Sequence, residues 1–139
     1  MQTKNIVLLA ISAFILTSCA STPSEQSFDS PIGAWQDQFE MMGGKTFKSE
    51  TTIIDKSRGT FVVLGNGAQG RYEFYSTDDP LIWKGYWILE NDSNPCATEK
   101  GGSVYWGEQV FNFNEAYDQY TGSYDHCGEG PKYSTKGVR

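Results

Sequence analysis

Three cysteines and one histidine are the residues of this chain best suited to chemistry, and their spacing separates their roles. Cys19 ends an apolar run near the start, whereas Cys96 and Cys127 lie far downstream with His126 beside the second. In an oxidising compartment an even pair of cysteines reads as a disulfide. A Cys96–Cys127 bond closes a loop of about 30 residues and contributes roughly 3–4 kcal/mol in the chain-entropy treatment. The alternative, a metal site of Cys96, Cys127 and His126, lacks a fourth ligand and a recognisable spacing. No Gly-x-Ser-x-Gly elbow accompanies His126. Carboxylates at Asp78, Asp79, Glu90, Asp92, Asp125 and Glu129 fall mostly in turn-like stretches. No two of them stand out as an acid–base pair facing each other across a cleft. The sequence therefore predicts no enzyme and no cofactor.

Cys19 belongs to different chemistry. Lys4 gives a short positive start, and residues 6–16 (IVLLAISAFIL) are apolar except for Ser12. That run is roughly half of the ~20 residues needed to span a bilayer, so it reads as the apolar region of a signal peptide. It closes on Leu16-Thr17-Ser18-Cys19. This stretch resembles the lipobox of bacterial lipoproteins. The resemblance implies cleavage before Cys19, a diacylglycerol on its thiol and a third acyl chain, such as palmitate, on its amine. Two or more chains hold a protein stably at a membrane, whereas one holds it marginally. Ala20 follows where Asp would resemble the inner-membrane retention signal, which implies transfer to the outer membrane.

Residues 20–30 (ASTPSEQSFDS) are small and polar. Such a segment cannot bury enough surface to order itself, so residues 19–30 read as an acylated flexible tether. Residues 1–18 are then the signal peptide and residues 31–139 a single domain with one modest core. The formal net charge is −6. An acidic chain without a basic cluster is a poor match for nucleic acid and for electrostatic adhesion to anionic lipid. The expected contact with a membrane is through the lipid, and the expected partner a protein or carbohydrate.

The elements of the domain read as strands throughout. No segment carries a helical period, while 15 glycines and 20 aromatic residues (8 Phe, 8 Tyr, 4 Trp) alternate with frequent turn signals. Short runs of this kind indicate an all-β sandwich or barrel. Strands are expected at residues 32–39, 46–54, 60–64, 70–75, 81–90, 117–124 and 133–139. A further one or two lie at 103–106 and 110–114, depending on whether Gly107 breaks them. Phe47, Thr51 and Ile53 share one face, and Gly65-Asn66-Gly67 has the composition of a hairpin turn. The expectation is an antiparallel meander closing into an eight- or nine-stranded barrel with one disulfide, since closure removes exposed edges.

Trp83-Lys84-Gly85-Tyr86-Trp87 and Tyr120-Thr121-Gly122-Ser123-Tyr124 share an aromatic-x-Gly-x-aromatic pattern. In a strand, alternate residues share a face. Trp83, Gly85 and Trp87 therefore line one side, with the Gly leaving a gap for a cross-strand side chain. Tyr133, Thr135 and Gly137 with Arg139 echo the pattern. Ile82, Lys84, Tyr86 and Ile88 make the other, mixed face, where a binding surface is expected at Lys84 and Tyr86.

Two resemblances follow from these residues. Gly33-Ala34-Trp35 on the first strand, with a late Arg139, resembles the calycin barrels (lipocalins and avidins), in which a Gly-x-Trp packs under a basic residue. It implies a barrel with a ligand-binding mouth. Gly70-Arg71-Tyr72, Trp83-Lys84-Gly85 and Cys96 resemble the membrane-bound inhibitors of C-type lysozyme, which implies binding through Arg71 and Tyr72. Here Gly67-Ala68-Gln69 stands where the inhibitors carry a serine, and the cysteine pairing differs from theirs. The sequence thus points to a lipid-anchored, non-catalytic barrel that binds a ligand or envelope partner, with lysozyme inhibition as the alternative.

Overall fold

The computed structural model describes residues 26–75 and 78–139. The expected signal peptide, Cys19 and the first part of the expected tether lie outside these residues. Eight strands follow in order: β1 (Gly33–Glu40), β2 (Thr46–Asp55), β3 (Arg58–Val63), β4 (Gln69–Tyr75), β5 (Ile82–Leu89), β6 (Tyr105–Phe113), β7 (Gln119–Tyr124) and β8 (Tyr133–Val138). Each pairs antiparallel with the next, and β8 returns to β1, so the sheet closes as an all-β barrel.

The short turns have local causes. The Asp55 carboxylate accepts from the backbone N–H groups of Ser57 and Arg58 at 2.8 and 3.1 Å, which fixes the β2–β3 turn. At the β3–β4 turn, Gly65 and Gly67 take φ of 104° and 71°, a region costly for residues with a Cβ. Asn66 Oδ1 accepts from the Ala68 N–H at 2.9 Å.

The strand count is eight because β6 runs unbroken through Gly107. That glycine faces inward, and a Cβ there would collide with the Trp87 indole and the Asp125 carbonyl. It marks a close approach within a strand, where the sequence also allowed a break. The expected gaps at Gly85 and Gly122 are likewise taken, mainly by backbone. A Cβ at Gly85 would meet the Glu73 carbonyl and, at 2.9 Å, the Phe74 Cα, and one at Gly122 would meet the Val110 carbonyl.

Alternation sends one set of side chains inward on every strand. Trp35, Ile53, Phe61, Val63, Tyr72, Phe74, Phe111, Phe113 and Tyr120 form the core, with Trp83, Trp87 and Leu89 packed against it. Ring centroids stand 4.8 Å apart for Phe61–Tyr72 and for Phe111–Tyr120, and 5.3 Å for Trp35–Phe113. Spacings of this size are ordinary aromatic contact, so the interior is filled with rings. One end is covered by Arg139 over Trp35. The other carries Phe39, Phe47, Tyr124 and Tyr133, with neighbouring rings 5.1–6.2 Å apart.

Two features depart from the linear reading. Phe28, assigned to the tether, donates its N–H to the Ala116 carbonyl at 2.8 Å and lays its ring on Arg139. A second, smaller core of Ile88, Cys96 and Trp106 sits outside the barrel wall. The segment between β5 and β6 folds back over that wall. It is tied down by the Cys96–Cys127 disulfide, by the Cys96 N–H to the Val104 carbonyl at 2.7 Å, and by the Trp106 indole N–H to the Thr98 carbonyl at 2.9 Å.

Candidate binding surface

The outer face of β4, β5 and β6 gathers three of the four candidate binding residues. Registry places Arg71 opposite Ile88, Glu73 opposite Tyr86 and Tyr75 opposite Lys84. On the far side, Tyr86 faces Glu108 and Ile88 faces Trp106. Arg71, Lys84 and Tyr86 therefore share one surface. Tyr72 does not share it. It is 8 % exposed, points into the barrel, stacks on Phe74 and packs at a tilt against Phe61. Burial pushes its phenol pKa up. Its neighbours Arg71 and Glu73 point the other way, as strand alternation requires.

The surface group is ordered by contacts across strands. Tyr86 packs between Tyr75 and Trp106, with ring centroids at 5.7 and 5.9 Å. The Lys100 ammonium, carried in by the folded-back segment, sits 4.6 Å from the Tyr86 ring centroid and 5.4 Å from that of Trp106. Such placement over an aromatic face is attractive. Arg71 pairs with Glu73 at 3.2 Å and donates to the Gly101 carbonyl. Tyr75 is 44 % exposed, and Lys84 and Glu108 are also exposed. The result is two tyrosine rings framed by ammonium and carboxylate groups. It can offer ring faces, cations and hydrogen-bond donors to a partner, and it places no activated nucleophile among them.

The groups best suited to catalysis hold other positions. Asp125 is buried, and its carboxylate accepts from the N–H groups of Glu108, Gly128 and Gly130 at 2.7, 3.1 and 2.9 Å. That arrangement holds the loop after β7. His126 stacks on Trp87 at 6.0 Å, with Nε2 2.9 Å from the Asn94 carbonyl. Cys96, His126 and Cys127 bring ligand atoms within 4.8 Å of one another. The two sulfurs are bonded to each other, and the His126 ring nitrogens face the Asn94 carbonyl and Cys127 Sγ, so the three do not form a ligand set.

Asp37 is the notable polar group of the interior. Tyr120 donates to it at 2.8 Å, and Ser49 lies at 3.4 Å. Burial raises its pKa, and these hydrogen bonds oppose the rise. Thr51 Oγ1, buried nearby, meets no hydrogen-bond partner, which leaves Tyr120 and Ser49 as the carboxylate's partners.

Sequence reasoning missed Tyr75 and Lys100 as members of the surface, and Trp106 as the buried ring beneath Tyr86 and Lys100. For Tyr75 a signal existed, since it shares strand parity with Arg71. Lys100 had none, because only the disulfide-tied return of the segment brings it to Tyr86. Comparison of the chain with protein-family models, with curated proteins and with solved structures finds no match.

Proposed function

We propose that this chain is a lipid-anchored, non-catalytic protein of the bacterial cell envelope that binds a protein partner through the outer face of its barrel. On this reading Cys19 carries the lipid at the outer membrane, and Arg71, Lys84 and Tyr86 contribute to the binding face together with Tyr75 and Lys100. The observation that carries it is the contrast between the two sides of the wall. Rings pack through the interior, while tyrosine and cationic side chains gather outside. Tyr, Trp and Arg dominate the energetics of protein interfaces.

Inhibition of C-type lysozyme is the competing reading. It draws on Arg71 and Tyr72, and Tyr72 lies inside the barrel.

A photo-crosslinking residue placed at Tyr75 in intact cells tests the face. A discrete envelope adduct that disappears in the Lys84→Ala/Tyr86→Ala variant is the expected result. Absence of any adduct, or one indifferent to the double substitution, overturns the assignment of the face. Stoichiometric inhibition of C-type lysozyme by the purified protein would replace it with the competing reading. The anchor is tested separately. Cys19→Ala should leave the outer-membrane fraction after a high-salt wash, and retention there would refute lipidation.

A further inference from the structure

A second outer surface lies away from that face, over the seam where β8 meets β1. The seam is short, pairing only Gln36–Phe39 with Thr135–Val138. A concavity of about 690 Å³ spreads over it. One row of cross-strand partners crosses this concavity: Lys48 on β2, Gln38 on β1, Lys136 on β8, Thr121 on β7 and Asn112 on β6. Gln36 and Gln119 lie in the adjoining row, and both also border the concavity.

The charge of this row runs against the net charge of the chain. The chain as a whole is acidic, at −6. Yet the charged side chains that reach the concavity are two exposed lysines. The one carboxylate residue bordering it, Asp37, turns inward to Tyr120 and Ser49. Glu50 sits opposite Gln36, outside the concavity. The remaining partners are amides and a hydroxyl, each able to donate and accept. At about 4.8 Å per strand, Lys48 and Lys136 stand ~10 Å apart along the row, with Gln38 between them. That is the length scale of a disaccharide.

We propose that this row binds a linear N-acetylated glycan that carries a carboxylate on every second sugar. The amides and Thr121 hydrogen-bond the hydroxyl and acetamido groups, and Lys48 and Lys136 each meet one carboxylate. Charge complementarity selects this occupant, because a neutral glycan leaves both ammonium groups without counter-charges. In the envelope the source with this chemistry is the cell-wall glycan strand freed of its stem peptides, which carries one lactyl carboxylate per disaccharide. The choice of that source rests on the envelope reading above. The binding chemistry does not depend on it.

The experiment is calorimetric titration of the full-length protein in detergent micelles with a stem-free cell-wall tetrasaccharide, and with chitotetraose as the neutral probe. Saturable binding of the acidic probe is expected, at least fivefold tighter than chitotetraose. Lys48→Met/Lys136→Met should weaken it at least tenfold while melting like the parent, since both side chains are exposed. Lys56→Ala, an exposed lysine between β2 and β3 outside the concavity, should bind as the parent does. Equal affinity for the two probes, unchanged binding by the double variant, or no saturable binding overturns the proposal. So does a concentration-dependent dimer that the double variant dissolves, which would assign the face to a second copy of the chain. Loss of the Cys19 anchor in fractionation would bear on the envelope reading and leave this titration untouched.

Discussion

Arg139 lies across the indole of Trp35, its guanidinium carbon 4.7 Å from the ring centroid, and the same group stands 3.7 Å from the Phe28 ring. Its Nε donates to the Tyr117 carbonyl at 2.6 Å and its Nη1 to the Ile32 carbonyl at 2.7 Å, while Nη2 reaches the Ser30 carbonyl. One side chain thus ties the segment before β1, the β6–β7 turn and the end of β8 to one end of the core. The planar fork spreads its N–H donors in fixed directions, which suits three carbonyls from separate segments.

Replacing Arg139 with Ala should therefore cost at least about 1.5–3 kcal/mol, the range for a hydrogen bond to a charged group. Arg139→Lys keeps the charge, but a single ammonium cannot reproduce the fork, so most of the loss should persist. Urea unfolding of the three proteins measures this, and a Lys variant as stable as the parent would show that charge alone suffices.

Gly85 is the second test. A Cβ there would press on the Glu73 carbonyl and lie 2.9 Å from the Phe74 Cα. Backbone cannot rotate away as a side chain can, so Gly85→Val should cost at least the roughly 1–3 kcal/mol typical of overpacking. Tyr86→Ala, on the outer face of the same strand, loses ring contacts with Tyr75 and Trp106 worth about 0.5–1.5 kcal/mol each and should be the less damaging of the two. Thermal melts of the pair decide it, and the reverse order would mean the strand's faces are assigned the wrong way round.

The disulfide should matter beyond its loop. Cys96 and Cys127 are 31 residues apart, so removing the bond should cost roughly 3–4 kcal/mol. The outer core should open first, because Ile88 and Trp106 are covered by the segment the bond holds down. Tryptophan emission of the Cys96→Ala/Cys127→Ala variant should shift red at denaturant concentrations that leave the barrel's far-ultraviolet signal intact. A single coincident transition would mean that the strap and barrel unfold as one unit.

Asp37 and Asp55 set opposite pH dependences. Burial raises the Asp37 pKa above its unfolded value of 3.8. The folded chain then holds that proton more tightly, so stability is greatest below 3.8 and declines as pH rises through the folded value. Asp55 behaves in reverse. Hydrogen bonds from Ser57 hold its pKa at about 2, so its contribution is present above 3.8 and lost as pH falls through 2. Asp37→Asn, whose carbonyl still accepts from Tyr120, should remove the decline and gain on the parent between weakly acidic and neutral pH. Urea midpoints across that range test it, and parallel curves would place Asp37 outside the titration.

Much of this architecture is legible in alternation alone. Phe47, Thr51 and Ile53 share a parity and face the core, as do Trp83, Trp87 and Leu89. The same rule placed Tyr72 inside, and pairing it with Arg71 in one site set aside the parity that separates strand neighbours. What alternation could not show is long-range return of the chain. Ile88 has the parity of the outer, mixed face, yet it is 0 % exposed because the segment after β5 comes back over it. Gly107 reads equally as a breaker or a site of close approach, and only the positions of Trp87 and Asp125 decide between them.

The pairing of β1 with β8 also constrains how the chain is made. Synthesis delivers β1 first and β8 last, and β8 alone completes both the β7 edge and the β1 edge. Until Tyr133–Val138 has emerged, any nascent chain presents two open edges with unsatisfied backbone groups, the earliest of them waiting for the whole domain. Such edges recruit other strands readily, and closure between the two ends of the sequence is the slowest kind of contact to form. The vulnerable period for misassembly is therefore the stretch of synthesis between the emergence of β1 and that of β8.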